Sequence, residues 1–185
     1  MVFFIFLNKN VKTKSYHFIL KNFIYTNHLA IAMPQKVSRD IPLSEITLRR
    51  YEKPYDLKDR ELVKKVCLSL GLLQPGDSRD VVVDVLSSLL NAQKKKVLLS
   101  SKDIEDNVIA LRKENNLQLL GIASSNIRRQ IKRLKDLFLI ETIDTSYRIV
   151  EFENLNKIFE EKIEGFYLKS ILIRVKEYLQ ALEKE

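Results

Sequence analysis

Residues 124–151 constrain the fold most tightly, because a helical apolar period there gives way to two short β-prone runs. In Ser124-Ser125-Asn126-Ile127-Arg128-Arg129-Gln130-Ile131-Lys132-Arg133-Leu134-Lys135, the apolar positions Ile127, Ile131, Leu134 and, beyond them, Phe138 fall at steps of four, three and four. That spacing predicts a helix with one buried stripe, and Ser124 and Ser125 are its candidate caps. At about 100° per residue, Ser125, Arg129, Lys132 and Asp136 point directly away from the stripe. Arg128 and Lys135 lie on one shoulder, Asn126 and Arg133 on the other. The free side thus carries five positive charges within eight residues. Arg128 and Arg129 are expected in or near the first turn, where the helix dipole disfavours cations. Local stability does not select that arrangement, whereas an anionic partner would; a solvated basic face is the alternative. Leu139-Ile140-Glu141-Thr142-Ile143 and Tyr147-Arg148-Ile149-Val150-Glu151 flank the polar turn Asp144-Thr145-Ser146 and predict a β-hairpin.

Upstream, the chain reads as a series of amphipathic helices. Asp56 is expected to cap the first, whose stripe is Leu62, Val63, Val66, Cys67 and Leu70, with Gly71 as its stop. Cys67 lies in that stripe with no His or Asp beside it in sequence, so it reads as core packing. After the turn Gln74-Pro75-Gly76-Asp77, Asp77 or Ser78 is the expected cap of a helix carrying Val81, Val82, Val85, Leu86, Leu89 and Leu90. This broad face should form the centre of the domain, and Lys94-Lys95-Lys96 suits the helix C-terminus electrostatically. Val97-Leu98-Leu99 reads as a short buried strand or turn. Ser100-Ser101-Lys102-Asp103 starts a helix with Ile104, Val108 and Leu111 inward, and Gly121 supplies the bend before the basic helix.

Only four Gly and four Pro stand among a 45% hydrophobic composition, which favours a mostly α protein with one small hairpin. A single cysteine excludes an internal disulfide framework and is compatible with the cytoplasm. The net charge of +8 is unevenly spread. Residues 1–32 hold Lys9, Lys12, Lys14 and Lys21 and no acid, and they lack sustained periodicity. They are expected to be unstructured or not part of the native product, with Met33 as the start. Phe3-Phe4-Ile5-Phe6-Leu7 is too short for a membrane span. Residues 33–77 read as an arm followed by a helix. The arm, around Pro34, Pro42 and Pro54, should hold one short element whose apolar side is Leu43, Ile46 and Leu48. Arg49, Arg50 and Lys53 either reach a backbone phosphate or are merely solvated. Residues 151–185 hold eight acids and six bases, so beyond residue 32 the positive surplus falls in residues 33–150, around the basic helix.

The order over residues 78–151 is helix, short strand, helix, turn, basic helix, hairpin, with Ser124-Ser125-Asn126-Ile127-Arg128-Arg129-Gln130-Ile131-Lys132-Arg133-Leu134 running into Phe138-Leu139-Ile140-Glu141. It resembles a winged helix-turn-helix DNA-binding domain. The resemblance implies that the basic helix lies in the major groove. It nominates Ser125, Asn126, Arg128, Arg129 and Lys132 as groove-facing, with Arg133 and Lys135 on the shoulders and Arg148 as the one cation for a wing contact. Arg can pair bidentately with guanine and Asn with adenine. Two features depart from the pattern. The wing tip has no basic residue, and the connection before the basic helix is long.

Residues 152–185 read as a C-terminal helix. Phe152, Leu155, Phe159, Ile163 and Phe166 begin its stripe. After Gly165 the phase shifts to Leu168, Leu172, Val175, Leu179 and Leu182, a seam of two heptads that predicts a homodimer. Packing back on the domain is the alternative. No glycine-rich phosphate loop occurs, and His17 and His28 both precede Met33, so no catalytic residue, metal site or cofactor is expected. The carboxylates are read as members of surface ion pairs. The expected function is sequence-preferring binding of double-stranded DNA by a dimeric, non-enzymatic transcriptional regulator. The alternatives are a protein-interaction module in a replication, segregation or transcription assembly, and an RNA-binding protein.

Overall fold

Between the arm and Lys95 the chain forms two helices, α1 (Asp59–Ser69) and α2 (Val81–Lys95). The computed structural model describes residues 41–184, so the expectations for residues 1–32 and for Met33 lie outside the described residues. Strand β1 (Leu99–Ser100) and helix α3 (Ser101–Glu114) follow, then α4 (Ser124–Asp136), β2 (Ile140–Ile143) and β3 (Ser146–Ile149). A C-terminal helical run closes the chain, comprising α5 (Leu155–Ile158), a π-helical stretch (Phe159–Leu168) and α6 (Lys169–Leu182). The fold is mostly helical, with one small antiparallel sheet, and residues from Ser44 onward form a single unit.

Helix α2 is central because its N-terminal half is apolar on nearly every side. Val81, Val82, Val83, Val85, Leu86 and Leu89 are all buried, and α1, α3, α4 and β3 pack around them. Each such side chain contributes about 1.5–3 kcal/mol on burial. From α3 come Ile104 and Val108, and from α4 come Ile127, Ile131 and Leu134. The predicted stripe of the basic helix is therefore the face that meets the core.

Sheet order is β1-β3-β2. Leu99 pairs with Tyr147 and Ser100 with Ser146, while the hairpin pairs Ile140 with Ile149 and Ile143 with Ser146. The turn is thus Asp144-Thr145 alone, and Ser146 already belongs to β3. Asp144 takes φ 52°, which an Asp tolerates better than most residues. Val97 and Leu98 are 47% and 40% exposed rather than buried, because the strand begins only at Leu99 and leaves them outside the sheet. There the Asp103 N–H donates to Ser100 Oγ (3.2 Å) and the Ser100 N–H to Asp103 Oδ2 (2.8 Å), a closed capping box.

Other helix starts differ from expectation. The first residue before α1 is Lys58, and Asp59 takes φ 45°, a sharp entry that leaves Asp56 outside the helix. Before α2 the cap position is Asp80; the Asp77 carboxylate instead accepts from the Arg79 N–H (2.9 Å). Before α4 it is Ala123, and Ser124 directs its hydroxyl to Glu105 Oε2 on α3 (2.7 Å) instead of to its own helix. Phe138 also leaves the buried stripe. The helix ends at Asp136 with Leu137 as its C-terminal cap, Phe138 turns to φ 58° and is 37% exposed, and Leu139 takes the inward place. Edge-on contact with Tyr167, at 5.5 Å between ring centroids, holds Phe138 there.

The arm from Ser44 to Lys58 contains neither strand nor helix. Its Arg49 is a clamp for the end of α1 and not a phosphate contact. The Arg49 N–H donates to Ser69 O (2.8 Å), and its guanidinium donates to Leu68 O, Leu73 O and Gln74 Oε1. Gly71 has φ +70°, and a Cβ there would lie 2.7 Å from Thr47 Cβ, so turn and arm both require glycine.

In the C-terminal run, Ile158 and Ile163 are buried, whereas Phe166 is 69% exposed. The π-helical stretch accounts for the change. Its wider turns rotate the apolar stripe off the core. A Cβ at Gly165 would come within 3.0 Å of the Glu160 carbonyl. Helix α6 has no buried residue.

Candidate functional site

The outer side of α4 sorts its cations into two groups. Arg128, Arg129 and Lys132 are exposed, as is Ser125, and among the described residues none of these three cations takes part in an ion pair. Asn126 and Arg133 are half-buried and held by the protein. Asn126 Nδ2 donates to Gly121 O (2.6 Å), and its Oδ1 accepts from Gln130 Nε2 (3.0 Å). Arg133 donates to Gln130 Oε1 (3.0 Å) and across to Gly71 O (3.2 Å). On this shoulder Arg133 thus reaches the turn that ends α1, and Asn126 reaches the connection before α4. On the other shoulder, Lys135 is exposed and donates to Thr142 Oγ1 (3.0 Å).

Arg148 is drawn into the sheet. Its Nε lies 2.7 Å from Glu141 Oε1 on the neighbouring strand, and its guanidinium lies over the Phe152 ring at 4.9 Å. Glu141 also accepts the Glu151 N–H (2.8 Å). That backbone bond first, and Arg148 beside it, hold the Glu141 carboxyl below its ordinary pKa despite partial burial. The hairpin therefore presents little unneutralised positive charge. The helix start also corrects the position of the arginines. With α4 beginning at Ser124, Arg128 and Arg129 fall in its second turn, where the dipole effect has largely died away.

The connection leading to α4 is tied to a buried charge cluster that sequence reasoning missed. Asp84 is 1% exposed and Arg112 is 3% exposed. Arg60 reaches Asp84 through Nε (2.8 Å) and Asp80 through a terminal nitrogen (2.8 Å), and Arg112 reaches Asp80 (3.1 Å) and Asp84 with one nitrogen. These four residues join α1, α2 and α3. A second nitrogen of Arg112, Nε, donates to Gln118 O (2.8 Å) in the connection leading to α4. Nine residues without helix or strand are thereby held in one path, and Gly121 at φ +74° turns the chain into Asn126's reach. No buried side-chain nitrogen or oxygen lacks a partner among the described residues. Two signals in the sequence point to the cluster. Asp84 interrupts the run Val81-Val82-Val83-Asp84-Val85-Leu86, and Arg112 continues the i, i+4 row of Ile104 and Val108.

The cluster sets a pH dependence. Burial pushes the Asp80 carboxyl up, but the hydrogen bonds from Arg60 and Arg112 outweigh it and hold the pKa below its ordinary value. A depressed carboxyl pKa stabilises the fold above the unfolded value of about 3.9 and loses that contribution as pH falls through the folded value. Denaturant melts should therefore show stability level near neutrality and falling below about pH 4. The Asp80→Asn variant should be less stable at pH 7 and show a shallower acid slope. An unchanged slope would mean that Asp80 gains nothing from its arginines.

Cys67 is fully buried, and burial pushes its thiol up to about 12, so it is a core residue and not a nucleophile. No helix among the described residues is long and apolar enough to cross a membrane. Comparison of the chain with protein-family models, with curated proteins and with solved structures finds no match.

Proposed function

We propose that this chain is a cytoplasmic, dimeric winged-helix protein that binds double-stranded DNA with sequence preference, in the service of transcriptional regulation. The observation that carries the proposal is the exposed row Arg128, Arg129 and Lys132, free of ion pairs among the described residues, on a helix whose opposite side is locked into the core. The succession α2-β1-α3-α4-β2-β3, with α4 as third helix and a sheet ordered β1-β3-β2, supports the winged-helix reading. In helix-turn-helix docking, the recognition helix presents its N-terminal residues to base edges in the major groove. Arg128 and Arg129 have the donor geometry for guanine, and Lys132 one turn later suits a phosphate. Asn126 is withdrawn from the reading set because Gly121 and Gln130 engage its amide, and Arg133 because Gly71 and Gln130 do.

A second reading, a protein-interaction module, is favoured by the hairpin. Its tip is Asp144-Thr145, and its one arginine is paired with Glu141. Selection of bound duplexes from a random library with the full chain separates the readings. An enriched motif bound with a steep salt dependence is the expected result. Replacing Lys132 by Ala should then weaken all duplexes alike and lower the salt slope by about one. No enrichment, or preference for structured RNA, would contradict the duplex reading.

A further inference from the structure

We infer that α6 is the self-association surface, and that it pairs with α6 of a second copy in antiparallel orientation. The inference deepens the dimeric reading above and specifies its geometry. With Val175 at the centre and about 100° per residue, Leu168, Ile171, Leu172, Tyr178, Leu179 and Leu182 all fall within about 60° on either side. Leu168 and Ile171 are half-buried, and the rest of this face is exposed. Leu172 is 50% exposed, Val175 49%, Tyr178 68%, Leu179 55% and Leu182 68%. A contiguous apolar face of that kind on a charged protein marks a contact surface.

The two borders of the face identify the occupant and its direction. On one border Lys169, Lys176 and Glu183 recur every seven residues; on the other stand Ile171 and Tyr178. Pairing two such helices in parallel runs each border beside the opposite border of the second copy, placing Lys176 and Glu183 against Ile171 and Tyr178. Antiparallel pairing runs each border beside its own counterpart. Lys169 of one copy then meets Glu183 of the other, twice by symmetry, about an axis level with Lys176, and the two Tyr178 side chains lie beside each other close to that axis. Only the two Lys176 side chains meet like charge, at the axis, where both are exposed and their stems let the ammonium groups diverge into water. The back of the helix stays solvated, with Arg174 and Glu177 paired at 2.7 Å. The seam is only about 21 Å long, so it makes a small interface and a reversible dimer.

Nitroxide labels placed singly on Lys169→Cys, Lys176→Cys and Glu183→Cys in the full chain test this. All three positions are exposed, and the one native thiol, Cys67, is buried. Antiparallel pairing predicts a short distance between labels at position 176, and distances about 10–20 Å longer at 169 and at 183. Mixing chains labelled at 169 with chains labelled at 183 should restore a short distance. Three equal distances would overturn the antiparallel assignment. Absence of dipolar coupling at all three positions, with monomers by sedimentation throughout the micromolar range, would overturn self-association through α6. Duplex binding assayed on the same proteins is a separate readout, so loss of the dimer is distinguishable from loss of DNA recognition.

Discussion

Replacing Asp84 by Ala should cost about 3–5 kcal/mol of folding stability, the loss expected when one partner of a buried ion pair is removed. Asp84 is 1% exposed and accepts from both Arg60 and Arg112. Without it, Arg112, itself 3% exposed, keeps only Asp80 at 3.1 Å as a charged partner. The cost is that of stranding a desolvated guanidinium, not of losing Coulomb attraction in the abstract. A second variant separates these. Asp84→Leu combined with Arg112→Met removes both members and replaces them with apolar volume, and it should be much less destabilising than Asp84→Ala alone. The double replacement also deletes the Arg112 bond to Gln118 O, so the connection before α4 should exchange its amide hydrogens faster even where global stability is retained. Denaturant unfolding followed by circular dichroism measures the first two effects. A loss under about 1 kcal/mol for Asp84→Ala would show that water reaches the cluster and that it does not act as a buried network.

The legibility of the fold tracks how local each decision is. The stripe Ile127, Ile131, Leu134 was readable because period alone assigns it, and all three are buried. The same period failed at Phe138 because the helix ends at Asp136, and a positive φ at Phe138 hands the inward position to Leu139. Caps were misplaced at Asp56, at Asp77 or Ser78, and at Ser124 or Ser125; Asp77 and Ser124 have competing partners, the Arg79 N–H and Glu105, that only the folded chain supplies. Asn126 and Arg133 sit on a shoulder of α4, where a helical wheel leaves exposure undecided. Gly121, Gln130 and Gly71, the last distant in sequence, decide it. Reading the carboxylates as surface pairs was wrong for Asp80 and Asp84 for a related reason. Their partners Arg60 and Arg112 lie on other helices, so no i, i+4 pair of opposite charges announces the pairing, although Arg112 falls on the inward row of its own helix. The phase shift after Gly165 was visible in the sequence, and the π-helical stretch is its structural form.

The double replacement of Arg128 and Arg129 by Ala should abolish sequence-preferring duplex binding while leaving the fold intact. Each arginine that reads a guanine contributes roughly 1–3 kcal/mol of discrimination, so loss of both should lower specific affinity by about one and a half to four orders of magnitude, at about 1.4 kcal/mol per order. Neither side chain takes part in an ion pair within the described residues, and both are exposed, so the unfolding midpoint should move little. The control is Ile131→Ala, which empties a core position only 3% exposed and should destabilise by about 2–5 kcal/mol. The direct test is a titration of one selected duplex and one scrambled duplex with the full chain and with the Arg128/Arg129 double variant, at two salt concentrations. The expected result is a preference for the selected duplex that disappears in the variant, leaving equal, salt-sensitive binding to both. Unchanged preference in a folded double variant would contradict recognition through α4.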